Sequence, residues 1–148
     1  METTLTTPQV TEPTEQLTVI AQRVAEPQRL RTLPRVIGPL YLSFENTVYN
    51  MMGHYCTNYA GGYWEFYTLS NGGFYMAPDQ SQPMTIIVDG NGFSGELSAD
   101  AAGVFITLMA LNQFAWRSRD ERFADLFYQL HEFALNHTEA NAILRAID

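Results

Sequence analysis

From Tyr63 to Leu97 the sequence carries the signature of β-strands, while on either side its apolar residues recur with the spacing of an α-helix. That switch of period limits the chain to few folds. Upstream, Phe44, Val48, Met51, Tyr55 and Tyr59 recur at intervals of three and four, which predicts a helix with one apolar face. Ser43 is its expected N-cap and Gly61-Gly62 its expected stop. Tyr63–Leu69 is rich in aromatic and β-favouring residues, and Ser70-Asn71-Gly72-Gly73 is a hairpin signal before Phe74-Tyr75-Met76. Met84–Val88 and Phe93–Leu97 read as two more strands around the turn Asp89-Gly90-Asn91-Gly92. Ser98 then caps a helix through Trp116. Ser118-Arg119-Asp120-Glu121 fits a capping box for the next helix, and Thr138 is the expected cap of a short last one. Strands in a run, then helices in a run, predict an α+β fold: an antiparallel meander of about four strands with helices packed on one face.

The supply of apolar residues supports such a core. The chain has 148 residues, 46% of them hydrophobic and 16% charged, which excludes a wholly disordered protein. Cys56 is the only cysteine, so neither a disulfide framework nor a thiolate zinc cage can form within one chain. Residues 1–17 form a threonine- and proline-rich tail in this reading, and 18–148 a single domain; seven of the first eighteen residues are threonine. Leu17–Val24 is ambiguous between strand and helix. Glu26-Pro27 opens a helical turn that Pro34 is expected to stop. The N-terminus lacks the basic start and apolar run of a secretory signal, and no apolar stretch is long enough to span a bilayer, so a cytoplasmic location is expected.

Charge narrows the function classes. Sixteen acids face eight bases, a formal net charge of −8, and every base is arginine. Such a field disfavours tight duplex DNA or anionic membrane binding. Four of the eight arginines, Arg23, Arg29, Arg31 and Arg35, fall within thirteen residues. They form either an anion-binding edge or a rim whose stems cover the core.

Catalytic and metal motifs fail in detail. As a calcium loop, Asp89-Gly90-Asn91-Gly92 would need an oxygen ligand at its fifth position, where Phe93 stands. His131-Glu132 lacks a second histidine four residues on, because residue 135 is leucine. His54 and Cys56 are two apart on the expected helix and point in different directions. No phosphate loop, dinucleotide fingerprint or nucleophile elbow is present. Neither a catalytic residue, a metal nor a cofactor is expected.

Two segments are more specific. Gly61-Gly62-Tyr63-Trp64 through Leu69-Ser70-Asn71-Gly72-Gly73-Phe74-Tyr75-Met76-Ala77-Pro78 puts aromatics on both faces of a strand, either as core or as an exposed binding strip. Asn91-Gly92-Phe93-Ser94-Gly95-Glu96-Leu97-Ser98-Ala99-Asp100-Ala101-Ala102-Gly103 joins a turn, a strand and a helix start. Both motifs, in this order and with the closing Arg145-Ala146-Ile147-Asp148, resemble the plasmid and mobile-element antirestriction family of ArdB/KlcA type over roughly residues 25–148. The resemblance implies a mixed α/β domain that protects incoming DNA from host type I restriction-modification enzymes. It implies no catalysis and transfers no active site.

A mimic of DNA would need rows of carboxylates. A globule of this length spans on the order of 40 Å, over which B-DNA shows ~24 phosphates. Sixteen scattered acids, offset by eight arginines, match that poorly. The expected partner is therefore the host type I complex or a protein associated with it, approached by a monomer or weak dimer. The alternative is a small enzyme or a nucleic-acid-binding module without a recognisable site. Polar tips at the turns supply the candidate partner-facing patch, namely Asn71, Asp89, Asn91 and Glu96, together with Asp100 and the strip residue Tyr67. The two turns are expected to share one edge of the meander. Turn geometry alone also accounts for asparagine and aspartate there.

Overall fold

A computed structural model describes residues 18–148. The expected tail, residues 1–17, lies outside them. The architecture is α+β, and a buried helix organises it. α3 (Ala99–Ser118) is buried at every position from Ala101 to Leu108. A helix apolar on all sides needs partners on all sides. It has them in β3 (Phe74–Pro78), in β4 (Met84–Val88) with β5 (Phe93–Leu97), and in α2 (Tyr41–Tyr55), α4 (Glu121–Leu135) and α5 (Ala140–Ile147).

The strands form two antiparallel sheets, not one four-stranded meander. β1 (Ala21–Arg23), β2 (Trp64–Leu69) and β3 make the first; β4 and β5 make the second. What separates them is the outer edge of β3. There the Thr107 hydroxyl of α3 accepts from the Met76 N–H and donates to the Met76 carbonyl, both at 3.2 Å. Gly103 brings the helix that close, since a Cβ on it would lie 2.6 Å from the Met76 carbonyl oxygen. A helix thus covers the edge that a fourth strand would have used.

Other boundaries shift for equally local reasons. The ambiguous segment after Leu17 contributes β1, paired Ala21 to Leu69 and Arg23 to Tyr67. α1 (Arg29–Val36), preceded by a 3-10 turn over Glu26–Gln28, continues through Pro34 instead of stopping there. The carbonyl deprived of its partner belongs to Leu30, which is exposed and can bond water. α2 begins at Tyr41, so Ser43 lies inside its first turn and is not its cap. It ends at Tyr55, six residues before Gly61, because Cys56 bridges Ile86 and the Thr57 N–H donates to the Thr85 carbonyl. Met52, not Met51, completes the buried stripe with Phe44 and Val48, and Tyr59 falls in the following loop.

Ser98 caps α3 as expected, accepting from the Ala101 N–H at 3.1 Å. Ser118 remains in α3, however, and Arg119 takes the left-handed conformation that ends it (φ 61). Asp120 then caps α4 by accepting from the Arg122 N–H. Thr138 does not cap α5; the residue at that position is Glu139, whose carboxylate is bonded to Ser98 instead.

Candidate functional site

The six patch residues separate into three arrangements. Asn71 and Asn91 are used alike. Each Oδ1 accepts from the N–H two residues on (Gly73 at 3.1 Å, Phe93 at 2.9 Å), which tightens the turn. Each Nδ2 then donates to a C-terminal helix. Asn71 reaches the Gln129 carbonyl and Glu132 Oε1 on α4, both at 2.9 Å. Asn91 reaches the Ala146, Asp148 and Arg145 carbonyls at the end of α5, at 2.9, 3.2 and 3.4 Å. Their side chains point back into the fold. The turns they brace belong to different sheets and do not share an edge of one meander.

Asp100 and Tyr67 meet at a polar junction. Tyr67 stacks on Tyr75 with ring centroids 4.6 Å apart, and Tyr75 stacks in turn on Phe133. The Tyr75 hydroxyl donates to Asp100 Oδ1 at 2.7 Å. Asp100 Oδ2 lies 2.8 Å from His137 Nε2, and His137 Nδ1 accepts the Glu139 N–H at 3.0 Å. With Nδ1 occupied as an acceptor, the ring proton sits on Nε2 and points at Asp100. The His137 side chain is only 9% exposed. Burial alone would raise the Asp100 carboxyl; the bonds from His137 and Tyr75 outweigh it and hold the group below the ordinary carboxylate range. Burial and the Asp100 bond push the Tyr75 phenol far above its ordinary value. Tyr67 is also raised, by burial first and by the Asp100 charge next. A phenol that stays protonated and a carboxylate that stays ionised make a strut between β3, α3 and the α4–α5 link.

The Asp89 and Glu96 side chains are exposed and make no hydrogen bond or ion pair within the described residues. Glu96 borders a shallow hollow of about 530 Å³ with Asn58, Gly61 and Gln80. It lies five residues from Asn91, roughly 16 Å along an extended strand.

The aromatic strand resolves mainly as core. Trp64 and Phe66 are buried, Trp64 donating its indole N–H to the Tyr59 hydroxyl at 3.0 Å, while Tyr63 is 47% exposed. Across Tyr63 and Phe66 lies Arg29, its guanidinium carbon 4.2 and 5.2 Å from the ring centres. Arg29 donates to the Trp64 carbonyl at 2.9 Å and stands 3.9 Å from Glu65 Oε1, which is buried without a hydrogen bond. The arginine therefore balances Glu65 through space while its donors serve the backbone. Cys56 is buried, its thiol pushed up by that burial and donating to Asn58 Oδ1 at 3.1 Å. This is an unreactive setting. Sequence reasoning missed His137, Tyr75 and Glu139 as one network, because the only signal was the helix break at Asn136-His137-Thr138.

Among the described residues no cluster of three His, Cys, Asp or Glu side chains could hold a metal ion, and no helix is long and apolar enough to cross a membrane. The geometry is that of a braced scaffold, with Asp89 and Glu96 left exposed on its surface.

A family model described as "Antirestriction protein" matches residues 57–148. The chain is 52% identical to an antirestriction protein KlcA of Escherichia coli, covering 88% of this chain and 94% of that one. A second Escherichia coli KlcA is 49% identical over 91% of this chain and 99% of its own length. A solved structure, from a description of KlcA and ArdB as showing a novel fold, superposes with a TM-score of 0.82. It is 50% identical and covers 88% of this chain and 95% of that one. The same description gives KlcA and ArdB antirestriction activity against type I DNA restriction systems in vivo but not in vitro.

Proposed function

Because this chain belongs to the antirestriction protein family, we propose that it lowers restriction of incoming plasmid, phage or mobile-element DNA by host type I systems. The observation that carries the reading is the likeness to KlcA along nearly the whole chain. The mode is protein contact in the cytoplasm, without catalysis or a cofactor, by a monomer or weak dimer. The pattern of carboxylates supports contact over DNA mimicry. Glu65, Asp100 and Glu139 are bonded or paired within the fold, and the exposed Glu26 and Glu132 are bonded to Tyr63 and Asn71, so these five do not form one displayed row. The activity of KlcA and ArdB in vivo but not in vitro supports a target beyond the isolated nuclease, such as an associated host protein. Within the patch, Asp89 and Glu96 face the partner, while Asn71, Asn91, Asp100 and Tyr67 hold the edges that present them. The test is to plate unmodified phage on a type I restricting host with and without the protein, beside a duplex-binding titration. The reading requires relief of restriction without submicromolar, steeply salt-dependent DNA binding.

A further inference from the structure

The arginines between residues 23 and 35 do not act together. Arg23 lies 3.6 Å from Glu65, and Arg29 is held by the Trp64 carbonyl, Glu26 and Glu65. The Arg31 and Arg35 side chains are exposed and make no ion pair or hydrogen bond within the described residues. They stand one turn apart on α1, and Leu30 and Pro34 stand one turn apart beside them. Thr32 and Leu33 take the opposite, buried arc, which aims the four residues outward. Leu30 is 90% exposed. From Pro27 to Phe44 there is no acidic residue, although the chain carries −8 overall. The face is thus an apolar tip beside two cations in an otherwise acidic protein.

We propose that this outward face of α1 docks an acidic, leucine-bearing segment of a partner protein. Guanidinium forks match carboxylates, and Leu30 gains by leaving water against an apolar side chain. Nucleic acid uses the face less well. Two arginines neutralise few phosphates, Leu30 offers a phosphate nothing, and the net charge repels a duplex. The proposal deepens the protein-contact reading and rests on it. Its test is done in solution, so that it can fail separately from the plating result.

The probe is a fluorescein-labelled peptide of repeated Glu-Glu-Leu triplets, titrated with the full chain at low salt. Unlabelled Glu-Glu-Leu peptide and a short DNA duplex serve as competitors. Reversing both charges (Arg31→Glu with Arg35→Glu) is expected to weaken binding by roughly tenfold or more, and Leu30→Ala by about threefold to tenfold. Arg117→Glu, an exposed control on α3, changes it by less than about twofold. All these sites are exposed, so melting temperatures stay at the wild-type value. Competition by the acidic peptide but not by the duplex supports the docking surface. Three results overturn it: wild-type affinity in the α1 variants, displacement by the duplex, or binding seen only after residues 1–17 are removed. The last would mean that the chain's own acidic segment occupies the face.

Discussion

The turn asparagines and the outward face of α1 make opposite use of polar side chains. Asn71 and Asn91 sit where a chain meets water, yet their amides are bonded to α4 and to the end of α5. Arg31 and Arg35 sit on a regular helix, and nothing within the described residues takes up their donors. Location on a turn therefore says little about availability. What decides it is whether a carbonyl lies within reach: the end of α5 offers Asn91 carbonyls without intrahelical partners, and the Gln129 carbonyl inside α4 takes Asn71 as a further donor. On the proposed reading the asparagines serve stability while the arginines and exposed acids serve contact, and that division can be broken at either end.

The largest stability loss should come from Asn91→Ala, which frees the α5 carbonyls and the Phe93 N–H together. About 2 kcal/mol is expected, hence a melting temperature lower by roughly 4–8 °C, with faster amide exchange confined mainly to α5. An unchanged melting temperature would return Asn91 to the partner-facing surface.

Asp100→Asn should cost less, about 1 kcal/mol, because water reaches a side chain that is 43% exposed. Its signature is the dependence on pH. The Asp100 carboxyl is held below its ordinary value in the fold. Its carboxylate therefore adds stability that is complete above about pH 4 and is lost as the pH falls through the lowered value. Denaturant midpoints measured from neutral pH downward should fall more steeply in wild type than in Asp100→Asn. Parallel curves would remove the strut from the account.

Neutralising the exposed acids (Asp89→Asn with Glu96→Gln) should change stability least, within about 0.5 kcal/mol. If these side chains face the partner, relief of restriction falls while the melting temperature holds. Full relief would remove them from the contact surface.

Much of this arrangement was legible in the residues. The four strands and their two turns follow from aromatic and β-branched runs broken by Asn-Gly pairs, and the start of α3 follows from Ser98. What escaped depended on distant contacts. No local pattern indicates that Thr107 bonds Met76 across 31 positions and covers the edge of β3. Nor does any show that residues 56 and 57 leave α2 to pair with β4. The α3–α4 boundary failed because Ser118 and Asp120 are both good caps, and the left-handed turn at Arg119 selects the second. For the site, residue type identified turn positions but not the direction of their hydrogen bonds. The Tyr75–Asp100–His137 junction joins residues up to 62 apart in sequence, beyond any local signal.

The central claim is relief of type I restriction, and plating measures it most directly. Unmodified phage is plated on a type I restricting host that carries wild-type protein, on the same host with an empty vector, and on a non-restricting host. Plating that rises toward the non-restricting level while soluble protein accumulates is the result expected. Plating that stays at the empty-vector level, with soluble, folded protein present, would contradict the account.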